Sequence, residues 1–450
     1  MMSMPAVSPD PDSLDPFSLV RGDEVHRRLY TDPRIFKLEQ DRLFRRAWLF
    51  VGHDSQIPEA GDFATTDLGG APVIMLRRED GSVAVLHNRC AHKGTPVLTA
   101  ERGRIARVLR CPYHGWTYHT DGKLAGMPLR EGYEGTGFAD SEASKGLRPW
   151  GELAVHRGFV FARAQSDGRS FAQCQGELLD ALDLLADRSP KGRLVVSGGV
   201  FRTEIQANWK IYLENINDSV HPVTTHASAT LAARSVWSER RQEGDPPLAI
   251  RQLLPFGSGY GFFEQMGGRV LASGHSLLGT HQSIHTSYAA LGDYGDALRA
   301  AHGESRARQV LDFSPQNVVF YPLMALKGAP QVMRVLRPLA VDRTVLEAWA
   351  FQPAGAPDAL LESALLYNRQ VFSPMSIVAH DDLHLFESIQ RGLAAGVDEW
   401  VSLHRDARKA EGALPRDVSG IDEALIRNQY EAWAGFMVNG AGPSAGRGAS

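Results

Sequence analysis

The sequence predicts an α+β protein in which a compact all-β module is set into a larger domain of helices and strands. With 450 residues the chain is too long for one simple core, so we expect two structural units. Short β-type runs separated by Gly, Pro and Asp fill residues 51–165, and helical patterns precede and follow them. No internal repeat is visible. This order indicates a β-module inside an α+β fold.

Individual elements can be assigned along the chain. Residues 17–50 are predicted to be helical, with a break at Pro33. Within the module, three β-type runs cover residues 72–76, 83–86 and 158–161. Beyond it the patterns predict a helix from Gln173 to Asp187, a strand from Leu194 to Ile205, a helix from Asn208 to about Val220, a charged helical piece near 296–310, and helix from Pro357 to Ala395 with an interruption near Pro374.

Composition excludes several classes of function. Hydrophobic residues make up 43% of the chain, charged residues 22%, and the net charge is −4, as in an ordinary globular protein. No basic run indicates nucleic acid binding, and no stretch indicates a membrane surface or span. Residues 1–16 lack the features of a signal peptide, and they and residues 439–450 are predicted to be disordered. We therefore expect a cytoplasmic protein.

Two of the three cysteines stand beside histidines in similar short motifs. Cys90 and His92 form Cys-x-His, and Cys111 and His114 form Cys-x2-His, whereas Cys174 has no such neighbour and is expected to be a small buried residue. Thiolate and imidazole are both good iron or zinc ligands. Two loops that each carry one cysteine and one histidine suit a two-iron cluster, in which one iron binds both cysteines and the other binds both histidines. A zinc site and two unrelated pairs are the alternatives.

Residues 85–118 resemble the cluster-binding loops of Rieske proteins. The chain lacks the additional cysteine pair of the respiratory branch, so the resemblance is closer to the oxygenase and ferredoxin branch. It implies that Cys90, His92, Cys111 and His114 hold a [2Fe–2S] cluster. Gly94 and Gly115 follow the two loops, and we expect their backbone to approach the cluster and donate amide hydrogens to its sulfides.

A second candidate metal site lies within residues 208–226. His221 and His226 would point roughly 140° apart on an unbroken helix, so they can share a metal only if the helix breaks. Pro222 makes an irregular exit plausible. Asp218 precedes His221 by three residues, which places it on the same face of a helix.

Two histidines need a carboxylate to complete the facial triad that leaves iron positions open. The best candidates are Asp381 and Asp382, at the predicted start of a helix with an apolar stripe formed by Leu385, Phe386, Ile389 and Leu393. One of the pair could instead cap the helix or complement its dipole. His380 and His384 flank Asp382 and are candidates to hydrogen-bond to the metal ligands from outside, although a solvated or core role is the more ordinary one.

Residues 208–226 and 379–392 together resemble the catalytic domain of aromatic-ring-hydroxylating oxygenase large subunits. The resemblance implies that His221, His226 and Asp382 bind a mononuclear iron, with Asp382 favoured over Asp381 by its spacing to Glu387. It implies a Rieske domain at 46–165 set before a helix-grip catalytic domain, formed by 17–45 and 166–438, with a large antiparallel sheet.

In the family, the aspartate of the Asp-x-x-His motif links an iron-ligand histidine to a Rieske histidine of the neighbouring subunit in a head-to-tail trimer. Carried over here, Asp218 would join His221 of one chain to His114 of the next, and Asn215 and Asp218 are candidate catalytic residues. The chain would form a homotrimer or an α3β3 assembly. Whether a small β subunit exists is left open.

The function implied is that of a terminal oxygenase, which inserts oxygen from O₂ into an aromatic substrate. A separate reductase or ferredoxin would supply the electrons, because the chain has no dinucleotide-binding or P-loop motif. A monooxygenase or O-demethylase with the same metals is an alternative. A Rieske electron carrier with a docking domain is another, but it would not need Asp218, His221, His226 and Asp382.

The substrate is less constrained. The spacing from Asn215 to Asp218 is one residue shorter than in naphthalene-type enzymes and resembles members that act on aromatic carboxylates. Arg334, in the β-type run Val332–Leu336, is a candidate partner for such a carboxylate, since arginine can grip it with two hydrogen bonds. The alternative for Arg334 is an exposed charge at a strand end.

Overall fold

The computed structural model describes residues 15–239, 244–284, 292–409 and 412–438. An N-terminal segment is followed by an all-β module and then by the larger domain, as expected. The N-terminal segment contains strand β1 (Glu24–His26) and helices α1 (Arg28–Thr31) and α2 (Pro33–Leu38). A π-helix at Glu39–Leu43 extends α2. The predicted disordered ends lie outside the described residues, except that Pro16 begins a 3-10 helix, Pro16–Leu19.

The all-β module contains ten strands and one short helix. They are β2 (Leu49–His53), β3 (Asp62–Leu68), β4 (Ala71–Arg77), β5 (Val83–His87), β6 (Arg102–Arg104), β7 (Leu109–Arg110), β8 (Thr117–Tyr118), β9 (Leu124–Gly126), helix α3 (Phe138–Ser141), β10 (Glu152–His156) and β11 (Phe159–Arg163). They form three antiparallel sheets, ordered β5-β4-β3-β6, β7-β8-β9 and β10-β11-β2. All three predicted β runs are confirmed.

The larger domain is built on one large antiparallel sheet. Its strands are β12 (Leu194–Ile205), β13 (Gly268–Val270), β14 (Ser276–Leu278), β15 (Asn317–Phe320), β16 (Met324–Lys327), β17 (Val332–Ala340), β18 (Arg343–Pro353), β19 (Trp400–Ser402) and β20 (Arg416–Val418). Eight of them are ordered β12-β18-β17-β16-β15-β14-β13-β20, and β19 pairs with β1 instead. The predicted fold class is therefore confirmed.

Helices cover the sheet. They are α4 (Phe171–Gln175), α5 (Leu178–Ala186), α6 (Trp209–Asn217), α7 (Pro222–Thr225), α8 (Ala227–Glu239), α9 (Leu248–Leu253), α10 (Tyr260–Gln265), α11 (Tyr294–His302), α12 (Glu304–Asp312), α13 (Asp358–Tyr367), α14 (Ile377–Ala395) and α15 (Ala424–Met437). Among the described residues, we find no helix with the length and apolar character needed to cross a membrane.

Several predicted boundaries were wrong, each for a local or a tertiary reason. The segment 17–50 is not helical throughout, because β1 and β2 at its ends pair with distant strands. Pro33 begins α2 rather than merely breaking a helix, and the Asp32 side chain accepts a hydrogen bond from the Arg34 N–H as its cap. Two predicted helices are split, at Gly176 and at Gly303.

The two faces of the large sheet have different roles. One face packs against the β-module, where the Phe50 ring lies 5.4 Å from Trp349 and His53 lies 5.5 Å from Phe351. The opposite face carries Arg334 and Lys327 and is covered by α6, α13 and α14. The side chains that bear the chemistry lie on this second face and on the helices above it.

Candidate metal centres and active site

The two Cys-His loops of the β-module have the same backbone geometry. Cys90 and Cys111 are both buried, and each backbone N–H donates to the carbonyl five residues further along, at 2.8 Å in both loops. Gly94 and Gly115 close the turns at φ +83° and +71°, where any other residue would be strained. Their N–H groups donate to the cysteine carbonyls at 2.9 and 3.1 Å, so the expectation that they reach cluster sulfides was wrong.

The imidazoles lie on the outer side of the loops. The rings of His92 and His114 are 4.5 Å apart, and His92 stacks on Trp116 at 4.9 Å. His92 is half-buried and His114 is exposed. Burial and the neighbouring imidazole lower the pKa of His92, which keeps it in the neutral form that binds metals. Tyr118 places its hydroxyl 3.0 Å from the Cys90 sulfur. A cluster here would have buried sulfur ligands and solvent-facing histidines.

His221, His226 and Asp382 converge in the larger domain. Asp382 Oδ1 lies 3.9 Å from His221 Nε2 and 3.4 Å from His226 Nε2. The three ligand atoms all lie within 4.8 Å of one another. Three ligands of this kind gathered at one point form the two-histidine, one-carboxylate arrangement of non-haem iron sites.

The backbone between the histidines breaks earlier than we expected. Helix α6, capped by the Asn208 side chain, ends at Asn217, and Asp218 is already extended at φ −103°, ψ 137°. Helix α7 then starts at Pro222 with a new direction, so both imidazoles reach the same point. The break therefore precedes His221 and does not follow from Pro222 alone.

Asp218 contacts His221 through this break and not through a helical face. Its Oδ2 accepts hydrogen bonds from the backbone N–H of Val220 and His221 at 3.0 and 2.7 Å, and lies 2.8 Å from His221 Nδ1. Arg405 Nη2 donates to Asp218 Oδ1 at 2.9 Å. The ion pair with Arg405 thus coexists with the contact to His221.

The two aspartates of α14 have different surroundings. Asp382 faces the Nε2 atoms of both histidines, whereas Asp381 Oδ2 lies 3.7 Å from the opposite ring nitrogen, His226 Nδ1. Helix α14 begins at Ile377 and is capped by the Ser376 hydroxyl, so neither aspartate caps it. His380 and His384 point to solvent and do not support the metal site.

Asn215 is the remaining candidate at this site. Its Nδ2 lies 3.0 Å from His221 Nε2 and 3.3 Å from Asp382 Oδ1, the two atoms that a metal would use. The amide therefore lies directly beside the ligand atoms, two residues before the end of α6 at Asn217.

Electrostatics at the triad match a metal site. Burial raises the pKa of Asp382 to about 6, against the opposing effect of His221. Burial, His221 and Lys327 lower the pKa of His226 to about 3, so its imidazole is neutral at neutral pH. Burial raises the pKa of Asp218, but its contacts with His221 outweigh burial and the net pKa is lowered.

The residues present fit an iron ion. Neutral imidazole and carboxylate are suitable ligands, and the buried outer nitrogen of His226, Nδ1, has the Asp381 carboxylate 3.7 Å away, the kind of outer partner that a metal-bound histidine uses.

Comparison with known families agrees with both sites. Residues 47–135 match the Rieske [2Fe-2S] domain, and residues 193–438, more than half of the chain, match the ring hydroxylating alpha subunit (catalytic domain). The chain belongs to the ring-hydroxylating oxygenase alpha subunits. A [2Fe–2S] cluster and a mononuclear non-haem iron are its cofactors, and it is an oxidoreductase.

Relatives include enzymes of two kinds. Toluate 1,2-dioxygenase subunit alpha of Pseudomonas putida is 29% identical over 94% of this chain and 94% of its own. N,N-dimethyl phenylurea N-demethylase subunit alpha of Sphingobium sp. (strain YBL2) is 30% identical over 85% of this chain and 83% of its own. Naphthalene 1,2-dioxygenase from Rhodococcus sp., solved with indole, has the same fold, with a TM-score of 0.73 at 24% identity over 92% of this chain and 94% of that chain.

The oxygenase has an open groove beside the triad. Asn215, Asp218, His221 and Asp382 lie along it, and about 260 Å³ of space is open there. Leu385, Phe386, Ile389 and Leu393, the stripe predicted on α14, form its apolar wall, and Leu385 and Ile389 remain 41% and 45% exposed. The stripe therefore faces the groove rather than a closed core.

Three further features of the oxygenase were missed from the sequence. Arg405 donates a hydrogen bond to Asp218. Glu214 accepts hydrogen bonds from the hydroxyl groups of Tyr30 and Tyr430. Lys327 is buried on the sheet. Arg334 is also buried, at 4% exposure, so the alternative of an exposed strand-end charge was wrong. A basic residue among apolar neighbours was the one sequence signal for the burial of Lys327 and Arg334.

Proposed function

We propose that this chain is the terminal oxygenase component of a multi-component enzyme that hydroxylates an aromatic carboxylate. The convergence of His221, His226 and Asp382 beside an open groove is the observation that carries the proposal. When bound, the cluster supplies stored electrons and the iron supplies O₂ activation. The likeness to a toluate dioxygenase supports the carboxylate class.

We assign the cluster to Cys90, His92, Cys111 and His114, and the iron to His221, His226 and Asp382. Matching turns, buried sulfurs and paired imidazoles support the first set. The converging nitrogen and oxygen atoms support the second. Asp382 is preferred because it faces both metal-side nitrogens, whereas Asp381 faces the outer nitrogen of His226. We assign residues 46–165 to the Rieske domain, and 17–45 with 166–438 to the catalytic domain.

Asp218 and Asn215 act on the ligands rather than on the substrate. Asp218 accepts the Nδ1 hydrogen of His221, which fixes the tautomer that leaves Nε2 free to bind metal. Asn215 holds His221 Nε2 and Asp382 Oδ1 next to each other. Both side chains therefore position the iron ligands before the metal binds.

Electrons are proposed to cross between subunits. Among the described residues, no hydrogen bond, ion pair or ring contact links the cluster loops with the triad of the same chain. Exposed His114, beside the 65% exposed Tyr113, is available to a neighbouring chain. The groove exposes Asp218, whose Oδ1 can accept a further hydrogen bond besides that from Arg405. A closed ring, as a homotrimer or α3β3, would give each iron a neighbour's cluster.

Separate partners complete the system. The family pattern supports a reductase or ferredoxin as electron donor, and the alpha-subunit relatives support a small β subunit as a further component. Because its electrons come ultimately from NAD(P)H, we place the enzyme in the cytoplasm.

Product analysis tests the proposal. Loaded enzyme and a compatible reductase are supplied with ¹⁸O₂ and a panel of benzoate, toluates, toluene and N-methylated or O-methylated aromatics. We expect a ring diol that carries label at both new oxygens, formed fastest from an aromatic acid. Loss of a methyl group as the main reaction would favour the demethylase alternative, which the phenylurea-demethylase relative supports. No label in any product would contradict an oxygenase.

A further inference from the structure

Two basic side chains share the face of the large sheet that looks toward the triad. In the β16–β17 register, Ala325 pairs with Arg334 and Lys327 pairs with Val332. Lys327 and Ala325 point to the same side of β16, and Arg334 and Val332 to the same side of β17, because side chains alternate along a strand. Lys327 and Arg334 are therefore diagonal neighbours, within reach of a common small group.

Both cations are buried without a carboxylate partner. Lys327 is 5% exposed, and among the described residues its ammonium makes no hydrogen bond or ion pair. Its Nζ lies only over the Tyr367 ring, 5.9 Å from the centroid. Arg334 donates to the neutral side chain of Asn317, and its Nε is buried with no hydrogen-bond partner.

Three other buried cations have carboxylate partners. Lys210, at 2% exposure against 5% for Lys327, donates from Nζ to Glu39 at 2.6 Å. Arg427 donates to Asp422 at 2.6 Å, and Arg337 to Glu347 at 3.2 Å. A buried cation without a counter-ion is costly, so Lys327 and Arg334, which differ from these three in having no carboxylate partner, would be stabilised by an anion.

Among the described residues, Asp382 is the carboxylate that acts on Lys327. Burial and Arg334 lower the pKa of Lys327 well below its usual value and Asp382 opposes them, so a bound anion would favour the charged ammonium. The iron, however, would take Asp382 as a ligand and would add positive charge to the site. With metal bound, the region around Lys327 therefore has an excess of positive charge that a bound anion would balance.

Aromatic side chains lie near both these cations and the triad. Phe256 lies 5.4 Å from the His226 ring, and Phe372 lies 5.0 Å from the guanidinium of Arg334. Tyr367, Phe372 and Phe256 belong to one buried apolar cluster on this face. An aromatic ring would contact these side chains, and a charged substituent would point to the sheet.

We propose that Lys327 and Arg334 form the carboxylate-binding end of the substrate site, so that the substrate enters as an ionised aromatic acid with its ring toward His226. This inference rests on the proposed oxygenase function and deepens it. Lys327 is a specificity-determining residue that fixes which end of the substrate is held by the sheet. Arg334, held by Asn317, offers the second donor.

The test is ligand binding without turnover. Oxidised, fully loaded protein is titrated calorimetrically with benzoate, with benzamide as the neutral analogue of the same shape, and with benzenesulfonate. Lys327→Met removes the charge, Lys327→Arg keeps it, and Leu326→Met is a control on the same strand, facing the other side of the sheet. The cluster spectrum and iron content of each variant establish that it is folded and loaded.

We expect wild-type protein to bind benzoate more tightly than benzamide and benzenesulfonate. Lys327→Met should weaken the binding of benzoate about tenfold to a hundredfold, because one charged hydrogen bond is lost. The affinity for benzamide should not change. Lys327→Arg should retain the preference for benzoate, and Leu326→Met should resemble wild type. An unchanged benzoate affinity in Lys327→Met, equal losses for benzoate and benzamide, or tighter binding of benzenesulfonate would overturn the assignment.

Failure of the inference and failure of the proposed function are distinguishable. If loaded wild type incorporates ¹⁸O into aromatic compounds but binds benzoate and benzamide equally, the oxygenase stands and the carboxylate site does not. If no aromatic compound gains label, the proposed function fails whatever the binding data show. Should Lys327→Met fail to fold, the wild-type preference and Lys327→Arg decide the outcome.

Discussion

The surroundings of individual residues distinguish the proposed metal ligands from ordinary side chains of the same type. Cys90 and Cys111 are buried at the start of matching turns, whereas Cys174 is half-buried and its sulfur lies 3.8 Å from an Arg163 nitrogen. The expectation that Cys174 is a small buried residue is thus met only in part. Its position away from the loops makes it a suitable control for the cluster.

Cys111→Ser should abolish the visible absorbance of the cluster, because a serine oxygen is a poor substitute for a thiolate on iron. Cys174→Ser should retain the spectrum. Absorption and acid-labile sulfide of the purified variants measure both. A Cys111→Ser protein with the spectrum of the wild type would show that the cluster ligands were assigned wrongly.

Asp382 and Asp381 form a second matched pair. Asp382→Asn should lose the non-cluster iron, because it removes the carboxylate that, among the described residues, faces both Nε2 atoms. Asp381→Asn should still bind the iron, with an affinity lower by about tenfold, because the change affects only the surroundings of His226 Nδ1. Iron titration of cluster-loaded protein measures the difference. An active Asp382→Asn with an inactive Asp381→Asn would reverse the assignment.

At the level of elements, the sequence predicted the strands and helix centres better than the helix ends. Strand β12 has the bounds that its apolar pattern predicted, Leu194–Ile205. Helix α6 ends before the predicted Val220, because the Asp218 carboxylate accepts hydrogen bonds from the backbone N–H groups of Val220 and His221. The ligand motif could be predicted from its spacing. The burial of Lys327 could not, because it depends on side chains far along the chain that cover this face of the sheet, such as Tyr367.

Glu214 on α6 predicts a pH effect on stability. Burial raises the pKa of Glu214 to about 7, although the hydroxyl groups of Tyr430 and Tyr30 act in the opposite direction. Between its ordinary pKa of 4.5 and this value, the folded protein keeps a proton that the unfolded chain has lost. The free energy of unfolding therefore falls as pH rises through this window.

Glu214→Gln should remove this part of the pH dependence. Urea unfolding at about pH 5 and about pH 7.5 should show a smaller loss of stability in the variant than in wild type. If both proteins lose the same stability between these two pH values, Glu214 does not keep its proton in the folded state.

For the whole molecule, the account requires the two metal centres to cooperate across a subunit boundary. The family likeness covers both domains, and the groove at Asp218 together with the exposed His114 provides two surfaces that can meet. The sequence predicted both domains because each carries its own ligand motif. It could not predict the groove, whose wall combines α6, α14 and residues 401–403.

Asp218→Asn should leave a reducible cluster, an occupied iron site and an intact assembly, with turnover lower by roughly a hundredfold or more, because the link between the centres is altered. Arg405→Gln keeps the contact between Asp218 and His221 and should cost far less. Turnover, cluster reduction and sedimentation are measured together. Near-wild-type turnover in Asp218→Asn, or an active monomer, would contradict the bridge.

The most direct test of the central claim is the iron and acid-labile sulfide content of purified wild-type and His221→Ala protein. The account predicts that wild type holds the iron and sulfide of one [2Fe–2S] cluster and one further iron per chain. His221→Ala should lose only that further iron and keep a reducible cluster. Wild-type protein with cluster iron alone, or a His221→Ala protein with the full iron content, would contradict the assignment of two separate centres.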